Sequence, residues 1–147
     1  MAVIGRLNEA AQLVSRGRLA PVFARFGLQH GEFDVLATLR RSGSPYALTP
    51  TALYEATMVS SGAMTNRLDR LERAGLIRRE PHPGDRRGVI VRLTDQGRAL
   101  IDDAVTAHVE NEHAILAGLT DGEREALAAL LGKLIAGLAP QDGGTGG

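Results

Sequence analysis

The residues with the most chemical capacity in this chain are arginines, and they concentrate in two runs. One is SSGAMTNRLDRLER (60–73) and the other is PHPGDRRG (81–88). Arg and Asn carry paired donors and acceptors that match the edges of guanine and adenine in a DNA major groove. Ser and Thr hydroxyls reach phosphates or bases. At helical spacing the first run places Ser60, Ser61, Met64, Thr65, Asn66, Arg67 and Arg70 on an outward face. Ala63, Leu68, Leu71 and Ala74 fall on the opposite face, which packs inward. The second run, with two prolines and two glycines, reads as a tip between strands. An arginine on so thin a projection, Arg86 or Arg87, can enter the minor groove, where negative potential is enhanced. Asp85 is an acid where DNA repels one, so its expected role is to orient a neighbouring Arg through a salt bridge.

The charge distribution favours the same partner. Formal net charge is zero, but residues 1–63 carry six Arg against four acids, and residues 64–98 nine Arg against five. Beyond residue 98, two basic residues face eight acids. A basic middle segment is a local electrostatic footprint of the kind nucleic-acid binding needs. A solvated-face alternative pairs Arg67 and Arg70 with Asp69, Glu72 or Glu55.

Other chemistries lack a constellation. With no Cys there is no disulfide, thiol sensor or thiolate zinc site. His108 and His113 are five residues apart and fall on different helix faces, so no metal is expected. Ser60-Ser61-Gly62 follows no strand, and the terminal GGTGG precedes no helix; neither is a nucleophile elbow or a phosphate loop. No nucleophile, base and orienting acid occur at usable spacing, so an enzyme is not expected. No apolar run is long enough to span a bilayer, and the N-terminal stretch lacks the pattern of a signal peptide, which places the chain in the cytoplasm.

The elements that must hold these residues are mostly helices. Apolar periodicity predicts a helix over 3–26, with Pro21 as a difficulty inside it, and a second over His30–Arg41. SGSPY (42–46) is a loop, and Thr49 caps a short helix Pro50–Ala56. After a turn at 57–59, Ser60 or Ser61 caps a helix that runs to Ala74 and is ended by Gly75. Strands Leu76–Glu80 and Val89–Leu93 flank the tip. Thr94 or Asp95 caps a long helix to about Leu116, and Gly122–Leu138 is the last, with a stripe from Leu127 to Leu138. Residues 141–147 form a flexible tail. Tyr46 and Tyr54 either touch a DNA backbone or pack; Arg92 and Arg98 act at long range.

Helix, turn, helix and hairpin in this order make a mainly α fold with a small β-hairpin wing. NRLDRLERAGLIRR, then GDRRG, then VRLT opening the next helix resemble the MarR family of bacterial regulators over about 40 residues, 59–100. The resemblance implies a winged helix-turn-helix with N- and C-terminal dimerisation helices, a single domain over 1–140 with a DNA-binding lobe at about 30–93 and dimerisation helices at about 3–26 and 95–138. It implies that Arg87 reaches the minor groove, that Asp85 holds the wing Arg, and that the chain is a homodimer on double-stranded DNA. GEFDVL (31–36) and SSGAMTNRLDRLE (60–72) resemble the urate-responsive branch most, although its N-terminal extension and Trp are missing. In that branch an acid communicates with two arginines, here Asp34 with Arg67 and Arg79. The expected function is a ligand-responsive repressor on a pseudo-palindromic operator, released by a small acidic or aromatic effector and needing no cofactor. An alternative is a winged-helix module that binds protein instead of DNA, and Asp34 has the alternative of being an ordinary exposed polar residue.

Overall fold

The computed structural model describes residues 2–57 and 61–139, Ser61 by its backbone alone. The candidate cap and contact Ser60, residues 58–59 of the turn between the two helices, and the tail 141–147 lie outside the described residues. The chain divides into two compact units, Met1–Asn111 and Glu112–Gly147.

The first unit opens with α1 (Ala2–Val14), a π turn (Ser15–Leu19) and α2 (Ala20–Arg25). The π turn answers the difficulty of Pro21. In a regular helix the proline ring collides with the carbonyl four residues back; here the Ala20 amide donates to Ser15, five residues back, and Pro21 enters α2 in its first turn. The chain then crosses a turn to α3 (Glu32–Arg41), which starts two residues later than periodicity predicts because Gly31 is left-handed (φ 80°) and breaks the run.

A two-residue strand that the sequence pattern does not reveal, β1 (Ala47–Leu48), follows the 42–46 loop and pairs with the wing. Helices α4 (Pro50–Thr57) and α5 (Ser61–Arg73) come next. Thr49 caps α4 as expected, its Oγ1 accepting the Ala52 amide at 3.1 Å. Gly75, with φ 77°, ends α5. Strands β2 (Ile77–His82) and β3 (Asp85–Leu93) are antiparallel, with a register shift at Pro81/His82, and the sheet order is β1-β3-β2. Both strands run further than the alternation predicts and leave only Pro83 and Gly84 as the turn.

Helix α6 (Asp95–Ile115) begins beside the base of the wing. Thr94 Oγ1 donates to the Gly75 carbonyl at 2.7 Å and accepts the Gly97 amide at 3.0 Å, so one hydroxyl ties the end of α5 to the start of α6. Gly97 is buried there because a Cβ would overlap the Leu76 carbonyl. The core of this unit joins Leu36 and Leu39 of α3, Leu53 of α4, Leu68 and Leu71 of α5, Ile77 and Val91 of the wing, and Ile101 of α6. Phe23 stacks on Phe33 at 4.5 Å, and the His108 ring lies against both.

The second unit holds the end of α6 and α7 (Asp121–Leu138). Thr120 and Glu123 form a capping box: Oγ1 of Thr120 accepts the Glu123 amide, and the Glu123 carboxylate accepts the Thr120 amide. Those bonds hold the Glu123 carboxyl below the usual carboxylate range. Leu130, Ile135 and Leu138 are more than 60% exposed, too much apolar surface for a helix to leave in water. In the first unit Val3, Ile4 and Leu13 of α1 are exposed in the same way.

Candidate nucleic-acid interface

Helix α5 carries the candidate base-reading face. Leu68 and Leu71 are buried as expected, but Met64 joins them, 3% exposed, one turn before Leu68. Met64 therefore anchors the helix in the core and leaves the outward set. Ala74, expected inside, is exposed. Gly62, Thr65, Asn66 and Arg73 are exposed, which puts Thr65 and Asn66 on the side away from the core. Ser61 begins the helix.

Arg67 and Arg70 turn back toward the body of the lobe. Arg70 Nε donates to both oxygens of Glu32 at 3.0 and 3.1 Å, and its Nη2 donates to the Gly27 carbonyl at 3.0 Å. Arg67 Nε donates to the His30 carbonyl at 2.8 Å, and its Nη1 is buried without an acceptor among the described residues. Gly31 makes room for this guanidinium, since a Cβ at that position would overlap it. A cleft of about 320 Å³ opens here, lined by Gln29, His30, Glu32, Asn66, Arg67 and Arg70.

Arg79, at the base of the wing, meets the other side of α5. Its Nη2 lies 2.6 Å from Asp69 and 2.9 Å from Glu72, and its backbone amide donates to Glu72 at 2.8 Å. The Arg79 bonds hold the Glu72 carboxyl low, and bonds to Glu72 and then Asp69 raise the Arg79 guanidinium. The alternative solvated pairing of Arg67 and Arg70 with Asp69, Glu72 or Glu55 gives way to pairing of Asp69 and Glu72 with Arg79, and of Arg70 with Glu32. Among the described residues no hydrogen bond or ion pair joins Asp34 to Arg67 or Arg79. Asp34 is exposed, and each arginine is held by a nearer acceptor on another element.

In the wing, Arg86 and Arg87 are exposed, and neither guanidinium is in an ion pair among the described residues. Asp85 acts differently from expectation: its Oδ1 accepts the backbone amide of Arg87 at 3.0 Å, and among the described residues it makes no salt bridge. Gly88 permits this, because a Cβ there would sit 3.2 Å from Asp85 Oδ2 and 3.0 Å from His82 Cβ. His82 closes the turn by accepting the Gly84 amide on Nδ1 at 2.9 Å. The hairpin thus ends in a hydrogen-bonded turn, and among the described residues no ion pair engages its two exposed cations. Away from this tip, Tyr46 packs between the guanidiniums of Arg40 and Arg98, at 5.2 and 4.8 Å. Arg92 is held by Glu80 at 2.9 Å. Sequence reasoning missed Glu32, His82 and Gly88; the acid just after Gly31 at the start of α3 and the Gly that closes GDRRG were the available signals.

Comparison with known proteins gives this geometry relatives. A profile described as MarR family matches residues 26–88. The HTH-type transcriptional regulator PecS of Dickeya dadantii is 48% identical over 134 residues, which cover 91% of this chain and 80% of PecS. A crystal structure of an Escherichia coli MarR mutant complexed with operator DNA superposes with a TM-score of 0.80 at 30% identity, covering 90% of this chain and 93% of that one. Sco3205 of Streptomyces coelicolor, a MarR family transcriptional regulator in complex with DNA, superposes with a TM-score of 0.86 at 26% identity over 99% of this chain and 91% of that one.

Proposed function

The chain belongs to the MarR family, and on that premise we propose that it is a sequence-specific double-stranded DNA-binding transcriptional regulator, a homodimeric repressor on a pseudo-palindromic operator. The observation that carries this is the pairing of an exposed Thr65-Asn66 face on α5 with a wing tip whose exposed Arg86 and Arg87 guanidiniums are in no ion pair among the described residues. Thr65 and Asn66, with Ser60 and Ser61 before them, read the major groove; Arg86 and Arg87 hold the minor groove, with Asp85 setting the tip. One such lobe covers one half-site, so two copies are needed. The exposed apolar residues of α1 and α7 supply surface for that pairing. The working unit is a single domain over residues 1–140, with its DNA-binding lobe at about 30–93 and dimerisation helices at about 3–26 and 95–138.

Such a protein works in the cytoplasm and catalyses nothing. Among the described residues no helix is long and apolar enough to cross a membrane. Release by a small acidic or aromatic ligand fits the cleft beside α5, where the buried Nη1 of Arg67 lacks an acceptor among the described residues. A ligand there releases DNA if it binds better to a dimer whose recognition helices are wrongly spaced.

Selection from a random duplex library with the full chain, followed by gel shifts, tests the function. The expected product is an inverted repeat with half-sites about one helical turn, roughly 10 base pairs, apart. Failure to enrich any sequence, with equal affinity for all duplexes, would overturn it.

A further inference from the structure

The turn that joins α2 to α3 receives two of the three arginines of α5, Arg67 and Arg70. Glu32 is the centre of this arrangement: it is 2% exposed, among the most buried polar residues of the chain. A carboxylate so removed from water must have its charge met and its lone pairs filled. One oxygen accepts the Gln29 amide, and both accept Arg70 Nε. Arg70 then spends Nη2 on the Gly27 carbonyl. The Nε–Nη2 edge is one of the two by which an arginine makes paired contacts to guanine, and here it is taken. Arg67 has spent Nε on His30, and its Nη1 is buried, which leaves no complete edge open to a base.

We propose that Glu32 is a positioning residue for DNA recognition: through Arg70 it fixes α5 on the 27–32 turn, so that Arg67 and Arg70 aim the helix while its exposed neighbours read the bases. The proposal rests on the DNA-binding function above. On the opposite flank Asp69 and Glu72 tie α5 to Arg79 of the wing. The recognition helix is therefore held by ion pairs on both sides, and of the two the Glu32–Arg70 pair alone has a deeply buried acid. Glu32 lies far from the wing tip in sequence and needs no contact with DNA to set how Thr65 and Asn66 meet a groove.

The test uses the full chain with a duplex it has itself enriched and a random duplex of equal length. Wild type, Glu32→Gln, Arg70→Gln and the double variant are compared by fluorescence anisotropy over a salt series. Expected is about tenfold weaker binding to the enriched duplex in each single variant, the scale of one misread base pair. The double variant loses no more than either single one, while affinity for the random duplex and the salt slope stay unchanged. A general loss of folding would lower both affinities together, and unfolding midpoints are measured alongside. Should Glu32→Gln fail to fold, Arg70→Gln, at a half-exposed site, decides alone by its slope. A slope lower by about 0.9 per protomer on both duplexes would mean that Arg70 touches phosphate directly; that result, additive losses, or variants that bind like wild type would each overturn the proposal. If wild type enriches no duplex, the DNA-binding function fails, and the arginine Nε–H resonance of Arg70 decides the clamp by itself. Slow exchange in wild type that collapses in Glu32→Gln upholds it, and fast exchange in wild type overturns it.

Discussion

Removing one wing charge, by Arg87→Ala, tests the wing with little collateral damage. The side chain is exposed and unpaired among the described residues, and the bond that shapes the tip runs from the Arg87 backbone amide to Asp85, which alanine keeps. The variant therefore deletes a cation and leaves the hairpin intact. Each phosphate neutralised contributes about 0.9 to the slope of log affinity against log salt. A homodimer carries two copies, so the slope should fall by about 1.8. Between 50 and 200 mM salt, a fourfold change, wild type should then lose about twelvefold more affinity than the variant. Fluorescence anisotropy on an enriched duplex at four salt concentrations measures this directly. A random duplex should show the same change in slope, because the contact is to backbone and groove potential rather than to a base. An unchanged slope on both duplexes would remove Arg87 from the interface, whatever happened to affinity at one salt concentration.

Gly97→Ala should lower the denaturation midpoint with an unchanged m-value. The added methyl would lie 2.9 Å from the Leu76 carbonyl carbon and 3.0 Å from Leu93 Cδ1. Overpacking against backbone, at about 1–3 kcal/mol, exceeds the roughly 1 kcal/mol gained in helix propensity; a raised midpoint would refute the account of how α6 docks. Gly31→Ala forces a side chain into the left-handed region, where φ is 80°, and displaces the Arg67 guanidinium. It should destabilise by about 1–2 kcal/mol in urea unfolding, and no measurable change would mean the turn adopts another shape in solution. Glu123 has its carboxyl lowered by the Thr120 amide first and the Thr120 hydroxyl second. A lowered folded value means its support for α7 is complete above the usual glutamate range and disappears as pH falls through the folded value. Acid titration followed by backbone chemical shifts should show the first turn of α7 loosening there in wild type, while Glu123→Gln shows no such step.

Much of the fold is legible in the chain because its signals are local. Thr49 before Pro50, Gly75 after Arg73 and Thr94 before Asp95 mark element ends by hydrogen bonds that close within a few residues. The wing follows from alternation at Val91 and Leu93 and from the turn chemistry between them and Ile77. Two features needed the neighbours. Strand β1 is two residues long, too short to show a period, and exists because Ala47 and Leu48 meet Arg92 and Val91. Pro21 breaks a helix on local grounds, yet the chain continues through a π turn.

The candidate site divides along the same line. The types of residue on α5 and the tip, and therefore the class of partner, could be read from composition and spacing alone. Which face of α5 is buried could not: Met64 suits water-excluded and outward positions about equally, and the packed core took it. Nor could the partners of the arginines. A guanidinium has five donors and a long stem, so its acceptor is whichever oxygen the fold brings near. For Arg70 that oxygen belongs to Glu32, thirty-eight residues earlier, and for Arg67 to His30, thirty-seven earlier. Sequence determined that this chain carries arginines suited to a polyanion; tertiary structure decided which of them face outward and which tie α5 to the body of the lobe.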